Sequence, residues 1–396
     1  MNSSDEQPDR IYLDHNASTP LDEAVLAAMQ PFVRDRFGNP HTRHWAGKPA
    51  GEAIVAARKQ VAACIGCEPR EVIFTSGASE SNNHAIKGVY FANREPRDES
   101  RDHFVTTTVE HPAVRLPLEW LRERFGCKVT YVDVDSTGRV AAADVLAAVT
   151  PRTLMVCVMH ANNEVGAIQP VGEIGAALRE RGVLLHCDAA QSLGKIPVRV
   201  DELNCDLLSV AGHKLYAPKG VGALYIRDGV KIDPLLHGAG QEFGLRSGTE
   251  NVEWIVGFGM ACELAARRSS HSVRELRDYF WSRLREQFGD DVRLHGPERE
   301  RLPNTLNVGF RGIIGADLLT RLDGIAATTG SACHDGQVSL SHTLAAMRVD
   351  PEYGMGAVRW SLGTSTTREQ IDRVVVRVAT AVAEMWQSST ASVMRQ

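Results

Sequence analysis

The residues of this chain best suited to chemistry begin with Lys214, set in the segment CDLLSVAGHKLYAPKGVGALY, Cys205 to Tyr225. Leu207 to Val210 and Val221 to Ile226 read as short buried strands with Gly and Pro punctuation between them. A lysine in the turn beside buried strands, behind Gly212 and His213, loses hydration, which lowers its pKa and favours the neutral amine. A neutral amine attacks carbonyl carbon. Twenty-six residues earlier Asp188 closes another apolar segment, GVLLHCDAAQS, a position where a carboxylate is rare unless paired. Such an amine and such a carboxylate are the pair that pyridoxal 5'-phosphate needs. The amine bonds its aldehyde carbon, and the carboxylate keeps its pyridine nitrogen protonated so that the ring accepts electrons.

Other segments add candidates. The strand EVIFT opens through Ser76, Gly77, Ala78 and Ser79 into a helical pattern, where free N–H groups and the positive helix end suit a phosphate, although the same residues serve as a plain helix cap. His111 precedes Pro112 at a helix start and, taken alone, reads as structural. Asn162 and Asn163 follow the strand 153–159, and Gln191 lies one turn past Asp188; these amides either bond a ligand at the strand ends or form Asx-type turns. Arg246 and Thr249 stand in a glycine-rich loop, GAGQEFGLRSGTENV, fit for an anion. Arg359 carries a planar fork suited to a carboxylate. Cys333 is the one cysteine in a stretch rich in Gly, Ser and Thr, residues 324–344, where a thiol is open to oxidation.

Taken in order from YLDHNASTP (Tyr12 to Pro20) to VRWSLGTSTT (Val358 to Thr367), these motifs resemble those of the pyridoxal-phosphate cysteine desulfurases, in the class V aminotransferase group, and of the related selenocysteine lyases. The likeness covers nearly the whole chain. It implies a fold type I transferase with L-cysteine as substrate, Lys214 as the cofactor lysine and Cys333 as the thiol that takes the sulfur as a persulfide for an acceptor. It also implies that His111 stacks on the pyridine ring, that Asn163 and Gln191 touch the cofactor, that His213 and the Gly77–Ser79 turn hold the phosphate, and that Arg359 with Asn163 orients the substrate carboxylate. Thr249 then reaches the phosphate of a neighbouring subunit, which makes the protein a homodimer. One departure is Ala211, where many relatives carry a phosphate-bonding serine; Ser209 is too far along the strand to replace it. His334, directly after Cys333, also suits a selenocysteine lyase, the alternative reading.

The elements that must position these residues alternate as strands and helices from about 70 to 226, which implies an α/β fold with a mainly parallel sheet and ligands at its carboxyl edge. Residues 21–258 are expected to form this large domain. Residues 1–20 and 259–396 are expected to form a smaller α/β domain carrying a mobile loop at 324–344. Val273, Leu276, Phe280, Leu284 and Phe288 mark one of its helices. A last helix begins near Thr367 with a capping box from Thr366 to Glu369. The segment FGNPHTRHWAG, between two helical patterns, is either a pocket mouth or a turn shaped by Asn39-Pro40 and Gly47.

Composition limits the remaining classes. With 396 residues, 43% of them hydrophobic, and a net charge of -5, the chain has ample core and no basic excess for nucleic acid or a membrane surface. It has no apolar run of the roughly 20 residues that cross a bilayer, and MNSSDEQPDR is unlike a signal peptide, so a cytoplasmic protein is expected. The eight cysteines are spread through the chain and several lie in apolar strands, as reduced core residues do. Cys64 and Cys67 form a CxxC without further ligand spacing, so no metal is expected.

Overall fold

The structure is a computed structural model that describes residues 10–94, 101–329, 331–334 and 337–393, with side chains described outside 331–338 and 389–393. Seven strands build the main sheet: β1 (Val72–Thr75), β2 (His103–Thr107), β3 (Lys128–Val132), β4 (Thr153–Cys157), β5 (Leu184–Asp188), β6 (Leu207–Ala211) and β7 (Gly222–Ile226). Their order is β1-β7-β6-β5-β4-β2-β3. All neighbours run parallel except β7, which is antiparallel to both β1 and β6. Five of the strands are buried throughout, as befits a sheet covered on both faces. In β6, Leu208 and Val210 join the core on one face while Leu207 joins the core on the other. The same period of two in β5 sends Leu185 and Cys187 to the first face and leaves His186 and Asp188 on the second.

A second core surrounds a four-stranded antiparallel sheet. Its strands are β8 (Val292–His295), β9 (Thr305–Phe310), β10 (Thr328–Thr329) and β11 (Ala357–Ser361), in the order β10-β11-β9-β8. Helices His271–Phe288 and Arg368–Val393 cover it, with Phe280, Phe310 and Trp360 at the centre. Ile11 and Leu13 belong to this core as well, and Ile11–Tyr12 pairs in parallel with Ile325–Ala326. The chain then crosses to the main sheet, where Thr19 N–H donates to His213 O at 2.9 Å. Residues 14–19 therefore lie between the two cores, against the turn that carries Lys214.

Three details differ from expectation. The helix Val252–Arg267 runs through the expected division at 258/259, and Val252, Ile255, Phe258, Ala261 and Cys262 all join the main-sheet core. The capping box of the last helix sits one residue later: Thr367 N–H donates to Gln370 Oε1 at 3.1 Å and Gln370 N–H to Thr367 Oγ1 at 3.3 Å. Thr366 instead accepts from Gly363 N–H at 2.9 Å. Within the stretch expected to be a mobile loop, Ser331–His334 and Gln337–Leu340 pair as an antiparallel hairpin, with Cys333 opposite Val338. Gly330, Asp335 and Gly336 lie outside the described residues. Among those described, no helix is long and apolar enough to cross a membrane.

Candidate active site

A cleft of about 640 Å³ opens at the carboxyl edge of the main sheet. It gathers Gly77, Ala78, Ser79, His111, Asn163, Asp188, Gln191, His213, Lys214 and Arg359, and Ala211 lines it too. Lys214 ends the single 3-10 turn after β6, which swings its side chain from the sheet edge towards residues 16 and 17. Its Nζ donates to Asn16 O at 2.5 Å and to Ala17 O at 2.8 Å. Burial and the Arg359 guanidinium lower its pKa to about 8, against the opposing pull of Asp14 and Asp188. His213 is lowered to about 4 by burial, with Lys214 and Lys219 adding to the shift.

Asp188 ends β5 and is held from two sides. Asn82 Nδ2 donates to Oδ2 at 2.8 Å and Ala190 N–H donates to Oδ1 at 3.0 Å. Asn82 lies on the helix Ala78–Asn83, so one short element supplies both the turn at Gly77 and the partner of the carboxylate. The loop can approach the sheet closely because β7 begins with Gly222: a Cβ there would stand 2.7 Å from Gly77 Cα. Gly77 itself has φ of 148°, a conformation that side chains disfavour, and space for a Cβ is open around it.

The two asparagines after β4 divide the work. Asn162 is buried and makes the Asx turn, its Oδ1 accepting from Glu164 N–H at 2.8 Å and Val165 N–H at 2.9 Å. Asn163 lines the cleft. Its carbonyl accepts from Arg359 Nη1 at 3.0 Å, while Arg359 Nη2 donates to Asp14 Oδ1 at 2.7 Å. His111 caps the helix Pro112–Phe125, Nδ1 accepting from Ala113 N–H at 3.1 Å, so Nε2 carries the ring proton of the neutral form. Ser209 is engaged with His186, Oγ to Nε2 3.0 Å, and lies deep in the sheet, so it does not stand in for a serine at 211.

One predicted residue is not brought into this cleft. Thr249 is exposed and outside its lining; the neighbouring Arg246 pairs with Glu80 at 2.9 Å. Burial alone would raise Glu80, but its bonds to Arg246 and Ser76 bring it below the usual carboxylate range. Cys333 is placed by its backbone in the hairpin, and its side chain lies outside the described atoms. Of the CxxC pair, Cys64 hydrogen-bonds Cys262 on the facing helix, whereas burial, with Glu71 and Glu68, pushes the Cys67 thiol up to about 12.

Asn16, Asp14, Asn82 and Lys195 also shape the site, and sequence reasoning missed them. The segment HNASTP, already part of a recognised motif, was the available signal for Asn16. Nothing local pointed to Lys195 or Asn82, whose partners are distant in sequence.

A mainly parallel sheet with a lysine on the turn after one strand and a carboxylate ending the neighbouring strand defines the fold type I architecture of the pyridoxal-phosphate enzymes. The model of the family described as aminotransferase class-V matches residues 11–374, and the chain belongs to that family. It is 45% identical over 367 residues to a cysteine desulfurase IscS of Dictyoglomus turgidum, covering 91% of this chain and 92% of that one. A cysteine desulfurase IscS of Methanosarcina thermophila is 43% identical over 380 residues, with 95% and 92% covered. Among solved structures, a NifS-like protein superposes with a TM-score of 0.88 at 38% identity, covering 94% of this chain and 99% of that one. A structure titled SspA in complex with cysteine gives 0.78 at 36% identity, with 89% and 98% covered.

Proposed function

We propose that the protein is a pyridoxal-phosphate-dependent cysteine desulfurase that converts L-cysteine to L-alanine and passes the sulfur, as a persulfide on Cys333, to an acceptor protein or small molecule. The observation that carries this reading is the convergence of a softened lysine, a fixed carboxylate and a pre-oriented arginine on one cleft. The relatives' names and the cysteine in one neighbour's title favour cysteine over selenocysteine, so the selenocysteine lyase reading is set aside. We further place the protein in the cytoplasm, as a homodimer in which Thr249 serves the partner's cleft.

The lining residues fit the cofactor. Asn82 Oδ1 and Arg359 Nε, both on residues facing the cleft, are buried without a hydrogen-bond partner among the described residues, and buried polar atoms of this kind call for a ligand. Lys214, Asp188, His111, Gln191 and Asn163 would hold the ring, and Gly77, Ala78, Ser79 and His213 the phosphate. When bound, the cofactor supplies an aldehyde for amines and a ring that takes up the electrons released as a Cα–H bond breaks. Asp188, anchored by Asn82 and the Ala190 N–H, holds a proton at the ring nitrogen. Lys214 Nζ, neutral in a usable fraction near neutral pH, takes the proton from the substrate Cα. Arg359 binds the substrate carboxylate through N–H groups that Asp14 and Asn163 do not occupy.

The thiolate of Cys333 then attacks the substrate sulfur. An S–S bond forms as the Cβ–S bond breaks, and its electron pair stays with the carbon that becomes the methyl group of alanine. The test is to incubate the purified protein with L-cysteine and measure alanine, sulfide and protein-bound persulfide together. The wild type yields all three, whereas C333A binds cysteine and forms no persulfide. Undiminished sulfide release by C333A would overturn the role given to Cys333.

A further inference from the structure

Lys195 carries a buried amine that the proposed mechanism does not use. It lies one turn beyond Gln191, half-buried as a residue with its amine end enclosed. Nζ donates to Asn16 Oδ1 at 2.8 Å and to Gln191 Oε1 at 2.9 Å, so its acceptors are amide oxygens instead of a carboxylate. Placing an ammonium there costs desolvation energy without a counter-charge to offset it. Lys214 and Arg359 add repulsion to that cost and, with burial the largest cause, hold Lys195 well below the usual lysine range. Asp14 acts on Lys214 and hydrogen-bonds Arg359.

What this position secures is Asn16. Gln191 Nε2 donates to Asn16 O at 2.9 Å, which closes a ring of hydrogen bonds through Lys195, Asn16 and Gln191. That same Asn16 carbonyl receives Lys214 Nζ. The far side of Asn16 is tied to the small sheet, where Asn304 Nδ2 donates to Oδ1 at 3.0 Å and Asn16 Nδ2 donates to Thr305 Oγ1 at 2.8 Å. Lys195 and Lys214 thus grip opposite ends of one residue that spans the two cores.

We propose that Lys195 is a positioning residue for Lys214: through Asn16 and Gln191 it fixes the backbone carbonyl on which the Lys214 amine rests whenever that amine is not bonded to cofactor. The inference rests on the proposed function for why the amine must be placed, and on the hydrogen-bond ring alone for how. Without Lys195, Asn16 keeps Asn304 and Thr305 but can turn its carbonyl away, and the amine is left with Ala17 O alone. Arg359 keeps its own acceptors, Asp14 Oδ1 and the Asn163 carbonyl; that carbonyl also accepts from Asn16 Nδ2 at 3.2 Å, but neither acceptor bonds Lys195, so substrate binding is spared.

The test uses K195M, which keeps the length and loses the donor, and K195R, which keeps the donor. In the loaded enzyme K195M lowers kcat about tenfold, the scale of a small misplacement of a reacting group, with KM within about twofold, and K195R recovers most of kcat. In cofactor-free protein, acylation of Lys214 by a limiting amine reagent, read by peptide mass spectrometry, is several-fold faster in K195M than in wild type. In a double-mutant cycle, N16A/K195M is no slower than N16A, because both changes act through one residue. Additive effects, or Lys214 labelling unchanged in K195M, would overturn the proposal. Should K195M not fold, K195L carries the same comparison. A wild type that makes no alanine from cysteine would sink the functional reading, and the labelling contrast would still decide this one.

Discussion

The depressed pKa of Lys214 makes a quantitative prediction that needs no cofactor. Burial and Arg359 bring the amine to about 8 from an ordinary 10.5. At a pKa near 8 about one tenth of the amine is neutral at pH 7 and about nine tenths at pH 9; at the ordinary value the fractions are about 0.03% and about 3%. Acylation of Lys214 in cofactor-free protein should therefore gain about tenfold between pH 7 and pH 9 and then level off, whereas an ordinary lysine gains about a hundredfold with no plateau. The assay is competitive labelling across this range, with Lys214 compared against an exposed lysine such as Lys48 in the same digest. Two variants check the cause. R359M removes a positive neighbour and moves the midpoint up; D188N removes a negative one and moves it down. Labelling that still climbs steeply past pH 9, or an R359M midpoint that falls, would refute the electrostatic account.

Three further outcomes follow from other contacts. R359K keeps a charge and loses the fork held by Asp14 and Asn163; at the usual strength of charge-assisted hydrogen bonds, KM for cysteine rises about ten- to a hundredfold, measured by steady-state kinetics. R58M strands Glu242, which is buried and accepts two bonds from Arg58, at 2.6 and 2.7 Å, and one from Phe74 N–H at 2.8 Å; urea unfolding should show a loss of about 3–5 kcal/mol. Stability should also fall on acidification. Burial lowers His160, His186 and His295 to about 4, so from about pH 6.5 down to 4 the unfolded chain binds more protons than the native one and stability rises with pH. Glu110, raised by burial to about 8, opposes this above its ordinary 4.5. His213, His15, His84 and His103 are lowered as well, so the histidines together outweigh the one carboxyl and stability still rises with pH near pH 5.5, checked by urea midpoints at several pH values.

Lys214 and Asp188 were legible because each combines a charged residue with an apolar strand, and that conflict is visible in a window of a dozen residues. The helix His271–Phe288 was legible for a similar reason, since its buried positions Phe280, Leu284 and Phe288 recur at helical spacing. Asn82 and Lys195 were not. Asn82 sits in a polar helix start that looks like any cap, and its reason for being there is a carboxylate 106 positions away. Lys195 follows Gly194 in a turn where a lysine is unremarkable until Asn16, 179 positions away, is seen to meet it. The hairpin at 331–340 was hidden by composition: Gly, Ser and Thr suggest a loop, and pairing across it is decided by register that single residues do not announce. The capping box was misplaced by one residue because Thr366 and Thr367 are both able caps and only the position of Gln370 chooses between them.

The site stands where two separately built cores meet, and that arrangement explains why so much of its hydrogen bonding converges on residues 14–19. Lys214 and Asp188 are fixed by the main sheet, whereas Arg359 belongs to β11 of the small sheet. A substrate amino group and carboxylate are joined through a single carbon, so lysine and arginine must be held in register although their strands share no hydrogen bonds. Asp14 takes Arg359 Nη2, Asn16 takes Lys214 Nζ on its carbonyl, and the two residues are nearly adjacent in the chain. The register is therefore set by a few covalent bonds of backbone instead of by packing between domains. Both Arg359 Nη groups are already engaged before substrate arrives, by Asp14 and by the Asn163 carbonyl, and the guanidinium plane need not be ordered on binding. Its charge is partly offset by Asp14, which moderates the grip on a carboxylate, and a product with the same carboxylate as the substrate can leave.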